Sequence, residues 1–117
     1  MPTIWTLGQP RKRTQFTYHG NVKEGVTLYF ANPQVVSADF FRAIFHNFAG
    51  SSLPGGFDMT DPIPGGLGEW IQLNSPHLNE VSLTPRHGSF IAAILVHEGY
   101  ITSSLEGNKI MLYFPQR

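Results

Sequence analysis

His77, His87 and His97 are the first residues to weigh for chemistry, because imidazole serves as a metal ligand and as an acid–base group near neutral pH. Their spacing of ten residues matches neither one helical face nor a zinc-binding pattern. On a shared helix His87 and His97 point about 80° apart at ~100° per residue. Asp58 with Asp61, or Glu69 with Glu80, supplies carboxylates for acid–base work, but no local pattern brings either pair together. Asp61 before Pro62 reads as a helix cap. Gly65-Gly66-Leu67-Gly68 has neither the lysine nor the preceding strand of a phosphate-binding loop. Ser51, Ser52, Ser103 and Ser104 lie outside any nucleophile-elbow context. With no cysteine there is no thiolate metal site, disulfide or cysteine nucleophile. The expectation is a non-enzyme with no metal, no cofactor and no small-molecule substrate.

The elements that must position these residues divide at a Gly- and Pro-rich stretch, 50–57, which reads as a linker. Before it, β-branched and aromatic residues predict strands over 15–18 and 26–30, with His19-Gly20-Asn21 as the turn and Asn32-Pro33 as the end of the second strand. Ser37 then caps a helix whose Phe40, Phe41, Ile44, Phe45 and Phe48 form one apolar stripe, stopped by Gly50. Burial of this stripe inside its own fold is one outcome. Docking a neighbouring chain through Phe40, Phe41, Phe45 and Phe48 is the other. After the linker, a helix over 61–73 is weakened by Pro64, Gly65, Gly66 and Gly68, and 80–83 reads as a short strand. The clearest helix follows, with Thr84 as cap, Pro85 in its first position, Phe90, Ile91, Ile94 and Leu95 inward, and Gly99 as its stop. A hairpin over 100–105 and 109–114, turning at Gly107-Asn108, closes the pattern. The predicted class is α+β, in two small units, 1–57 and 58–117.

Across 117 residues the net charge is zero, and charged side chains make up only 14% where about a quarter is usual. Residues 1–57 carry +3 and residues 58–117 carry −3, an asymmetry that suggests different surroundings for the two halves. The longest apolar run, 90–96, is far short of the ~20 residues that span a bilayer, so no membrane partner is expected. The amino terminus lacks the basic and apolar regions of a secretory signal.

Met59-Thr60-Asp61-Pro62-Ile63 resembles the opening of the small-subunit ribosomal protein eight family. Ile91-Ala92-Ala93-Ile94-Leu95 and Glu98-Gly99-Tyr100-Ile101 are similar to that family's second helix and its exit, and the strand 110–114 to the last strand of its amino-terminal domain. The resemblance covers about residues 59–115 and implies helix–strand–helix–strand–strand order for 58–117, with 1–57 as an amino-terminal extension. Arg86 falls on a family lysine. Pro64, Gly65 and Gly66 interrupt the family's first helix, and Glu69 and Gln72 stand where arginines are common. The family's carboxy-terminal domain, with its RNA-binding loop, has no counterpart before Arg117.

The resemblance implies a structural constituent of a small ribosomal subunit, in a divergent mitochondrial ribosome of the matrix, with the cytoplasm as the alternative. Its partners would be ribosomal RNA of the small subunit and neighbouring small-subunit proteins. Arg11, Lys12, Arg13, Arg86, Lys109 and Arg117 are the residues expected on the RNA backbone, positioning it without reading sequence. Helix followed by hairpin is also the arrangement of a winged-helix nucleic-acid-binding regulator, which is the alternative function. That reading needs basic and amide side chains on the second helix, where only Arg86 and His87, with Ser89, Ala93, His97 and Glu98, are expected to be accessible.

Overall fold

Our computed structural model describes residues 1–8, 13–79 and 81–116 of the chain. Its first layer is an antiparallel sheet of four strands in the order β1 (Thr3–Trp5), β2 (Gln15–Asn21), β3 (Gly25–Phe30) and β4 (Asn32–Ser37). Alternation decides which face is buried: Phe16 and Tyr18 on β2, Val26 and Leu28 on β3 and Val36 on β4 all point into the core. The expected turn at His19-Gly20-Asn21 lies further on. β2 continues through Asn21, pairing Gly20 with Val26, and the chain reverses over Val22–Glu24. Only glycine fits at position 20, where φ is +95° and an added Cβ would strike the Gly25 carbonyl.

Nor does Asn32-Pro33 end the sheet. Ala31, with φ of 61°, folds the chain back at once so that Phe30 pairs with Asn32, and β4 becomes an edge strand. An edge accepts proline because the missing N–H breaks no inner ladder. At the end of β4 one side chain takes up two outward-facing backbone groups. The Asn79 carboxamide accepts from Ser37 N–H at 2.8 Å and donates to the Val35 carbonyl at 2.8 Å and the Val81 carbonyl at 2.9 Å. It imitates a paired strand at a position that would otherwise be open.

Ser37 then caps α1 (Ala38–Phe48), its hydroxyl accepting from Phe40 N–H at 3.1 Å. Phe40, Phe41 and Ile44 are fully buried, and Phe45 and Phe48 pack on Tyr100, Trp70 and Phe114 with ring centroids 5.2–6.4 Å apart. Burial takes Phe40 and Phe41 out of the docking expectation, while Phe45 and Phe48 are half-buried against these rings. The stripe packs mainly inside its own fold, against residues on both sides of 57.

The expected linker contains a strand. β5 (Ser52–Pro54) pairs antiparallel with β7 (Lys109–Tyr113), which pairs in turn with β6 (Thr102–Glu106), giving the order β5-β7-β6. Leu53 faces Leu112 in the core. One hydrophobic core therefore runs from Phe16 to Phe114, without a division between 1–57 and 58–117.

α2 (Leu67–Leu78) starts only after Pro64, Gly65 and Gly66, later than 61, and Glu69 reaches back to accept from Gly65 N–H at 3.1 Å. No strand forms over 81–83, the described part of the one expected there. Leu83 donates its N–H to the buried Ser75 hydroxyl at 2.7 Å, which returns a bond to the Leu83 carbonyl at 3.3 Å, so a side chain replaces the ladder. α3 (His87–His97) begins two residues after Pro85, because Thr84–Arg86 forms a tight turn with His87 N–H donating to the Thr84 carbonyl at 3.0 Å. Gly99, with φ of 83°, ends it as expected. Gly88 through Leu95 are all buried, Ser89 and Ala93 among them, so α3 is the central rod of the molecule. The fold is α+β, with three helices and two antiparallel sheets among the described residues.

Candidate nucleic-acid interface

Of the six cations expected on RNA, the structure brings Arg86 and Lys109 to one place. They line a cleft of about 510 Å³ walled by the β1–β2 loop, the 56–63 loop, the entry to α3 and the tip of the last hairpin. Arg86 is held there by the Thr84–Arg86 turn, and Lys109 by the β6–β7 turn, where Gly107 takes φ of 65° and Glu106 pairs with Lys109. The 56–63 loop is shaped by Asp58, whose carboxylate accepts from Thr60 N–H at 2.9 Å, the Thr60 hydroxyl at 3.0 Å and Asp61 N–H at 3.0 Å. Asp61 thus closes an Asx turn and caps no helix.

The β1–β2 loop that carries the basic run is pinned at its root. Thr6 donates its N–H to the Thr14 carbonyl at 2.8 Å, and its hydroxyl accepts from Thr14 N–H at 2.8 Å. Leu7 N–H donates to the Ser89 carbonyl at 3.2 Å, tying the loop to α3. Leu7, Gly8 and Thr14 line the cleft, and Arg13 lies over the exposed Trp5 ring, 5.9 Å from its centroid. Arg11, Lys12 and Arg117 lie outside the described residues. Among the lining residues Asp58 and Asp61 balance Arg86 and Lys109, so the described lining carries no net formal charge.

A second, smaller cavity of about 240 Å³ adjoins the first and shares Met59, Arg86 and Phe90 with it. Its wall is the end of β3, the start of β4 and the turn before α3, with Gln34, Thr84, Arg86 and His87 as its polar residues. His87 Nδ1 lies 3.0 Å from both the Thr84 N–H and the Thr84 hydroxyl. Burial, with Arg86 beside it, pushes the His87 imidazole below its ordinary value. The neutral ring accepts the Thr84 N–H at Nδ1 and so carries its proton on Nε2.

The three histidines do not converge. His97 stands edge-on to Tyr18 at 6.4 Å, and His77 is exposed near the end of α2. No cluster of three or more His, Asp or Glu that could hold a metal ion occurs among the described residues. No helix there is long and apolar enough to cross a membrane.

The central position of α3 also removes the groove-entering surface that a winged helix would use. The β1–β4 sheet lies over it: Phe16 and Phe30 pack on Phe90 at 4.8 and 5.5 Å. The Tyr18 hydroxyl donates to the Glu98 carboxylate at 2.6 Å, and Val22 N–H donates to its other oxygen at 3.0 Å. Sequence reasoning missed Phe30 and Gln34. A signal was present for the first, since Val26, Leu28 and Phe30 share one face by period two. In comparison with known proteins, the chain matches no family model, no curated protein and no solved structure.

Proposed function

We propose that the protein is a non-catalytic constituent of a ribonucleoprotein particle that holds RNA by its backbone at the cleft between the basic β1–β2 loop and the last hairpin. The observation that carries this reading is the meeting of Arg86 and Lys109, from separate elements, beside the loop that bears Arg13. The particle to which the sequence resemblance points is the small ribosomal subunit, in mitochondria. With three described cations on phosphates, affinity for single-stranded RNA falls with salt at a log–log slope of about −2.

The test is sedimentation of the tagged protein from lysate and from purified mitochondria, with and without magnesium chelation, together with RNA binding across a salt series. Co-migration with the small subunit after dissociation supports the ribosomal assignment. A position at the top of the gradient in both conditions overturns it. Salt-independent or absent RNA binding overturns the backbone reading.

A second reading is favoured by topology. From α1 onward the order is helix, strand, helix, helix, strand, strand, with sheet order β5-β7-β6, which is the winged-helix connectivity. Because α3 is covered, a duplex would meet the β6–β7 hairpin and Arg86 among the described residues, a backbone contact without base reading in the major groove. Tighter binding to duplex DNA than to RNA, at equal salt, favours this reading over the first.

A further inference from the structure

The smaller cavity beside the cleft has the makings of a site for a flat heterocycle. Its apolar walls are Phe30, Phe90, Leu28 and Met59. Phe30, 43% exposed, leans on Phe90 with centroids 5.5 Å apart, and Phe90 is backed by Phe16 at 4.8 Å. The aromatic wall is therefore rigid from behind and open in front. At about 240 Å³ the space is below the range of ordinary drug-sized pockets, ~300–1,000 Å³. It suits a single ring system.

Gln34, Thr84, Arg86 and His87 are the polar residues that line that space. The Nδ1 of His87 is engaged by Thr84, which leaves Nε2–H as the ring's donor. Gln34 brings a carboxamide, donor and acceptor together, which makes no side-chain hydrogen bond among the described residues. An amide and an imidazole N–H match the mixed edge of a base. Among the described residues Arg86 is the only charged one lining this cavity, and it lines the large cleft as well. A ligand seated here thus has a cation waiting where its flat part ends and the cleft begins. A neutral aromatic side chain of a protein partner would leave Arg86 without an anion.

We propose that this pocket receives one unpaired nucleobase of a single-stranded RNA, stacked on Phe30 and bounded by Gln34 and His87, with the adjoining phosphate on Arg86. This rests on the RNA-backbone reading and adds to it a preference for single strands, since a base inside a duplex cannot be splayed into a cavity.

The test measures fluorescence anisotropy of the full chain with labelled RNA octamers of each single base and with a duplex RNA of equal length. Wild type is compared with Phe30→Ala, Gln34→Ala, Arg86→Ala and Lys109→Ala. Phe30→Leu, with thermal melting of every variant, covers the case in which the alanine variant loses its fold. Loss of one stacking platform weakens single-strand binding about tenfold, leaves duplex binding unchanged and leaves the salt slope unchanged. Gln34→Ala alters the ranking among the four octamers. Arg86→Ala and Lys109→Ala weaken both RNAs and flatten the salt slope.

If the Phe30 and Gln34 variants bind every RNA like wild type while Arg86→Ala and Lys109→Ala do not, the pocket assignment falls and the backbone reading stands. If wild type shows no salt-dependent RNA binding, both fall. Nucleoside monophosphates serve as competitors: one that saturates the pocket without displacing the octamer overturns the assignment to a strand. An aromatic peptide that binds through Phe30, where RNA does not, overturns it in favour of a protein partner.

Discussion

Asn79 offers the sharpest test of how this molecule is held together. Its carboxamide spans 42–44 residues of sequence to reach the edge of β4, while its own N–H closes α2 on the Ser75 carbonyl at 3.0 Å. Ser37, the residue it receives from, is itself the cap of α1, so one side chain ties the end of one helix to the start of another. Asn79→Ala removes three hydrogen bonds. At about 1 kcal/mol net each, with water able to reach the Val81 carbonyl, the loss is roughly 2–3 kcal/mol. For a chain of this size that lowers Tm by about 10 °C.

Asn79→Asp is more discriminating. One oxygen still accepts from Ser37, but the amide donor becomes an oxygen facing the Val35 and Val81 carbonyls. The ionised form is disfavoured by another ~1–2 kcal/mol, which raises the folded pKa above its unfolded value near 3.9 by about one unit. A carboxyl with a raised folded pKa binds its proton more tightly when folded, so stability relative to wild type is lost as pH rises from ~4 to the folded pKa. Melting of wild type and both variants from pH 4 to 7.5 reads this directly. An Asn79→Ala variant within ~0.5 kcal/mol of wild type, or an Asp variant whose deficit does not vary with pH, refutes the strand-mimic account.

Other perturbations follow from the same geometry. His87 has a folded pKa below its ordinary 6.5, so the unfolded chain binds the proton more readily; stability is full above that value and declines as pH falls through it, and His87→Ala abolishes that slope in urea titrations between pH 5 and 7. Tyr18 is pushed well above its ordinary 10.0 by burial and by the hydrogen bond to Glu98; stability therefore declines above that pH, and Tyr18→Phe, followed by melting and tyrosinate absorbance, loses the alkaline decline. Gly68→Ala places a Cβ on the Gly56 carbonyl oxygen, backbone that cannot yield cheaply; about 3 kcal/mol or more is lost, which circular dichroism melts detect as a fall in Tm exceeding that of Asn79→Ala.

Local signals explain what was legible from residues alone. Ser37 before an apolar helical stripe, Gly99 after one, and the alternating 110–114 strand each act over a few neighbours, and α1, the end of α3 and the last hairpin follow them. β1, β4 and β5 are different. Two of them have three residues, β4 opens on Asn32-Pro33, and each exists because a partner strand is presented to it from elsewhere. The missing strand at 81–83 depends on a single buried hydroxyl, Ser75, eight residues earlier. The same reason divides the site. Arg86 and Lys109 were visible as isolated cations, but the cavity of Phe30, Gln34 and His87 is created by laying a sheet across a helix, and no window of sequence contains it.

The pairing of β5 with β7 has a consequence for how the chain comes into being. Ser51 and Leu53 wait for Phe114 and Leu112, since Phe114 N–H donates to the Ser51 carbonyl at 2.9 Å and Gly50 N–H to the Pro115 carbonyl at 3.2 Å. During vectorial synthesis, at roughly 5–20 residues per second, α1 and its phenylalanines emerge several seconds before the strand that completes their cover. No nascent segment ending before residue 114 contains a finished core. Completion of this core is therefore a late event, which waits for the arrival of its last hairpin.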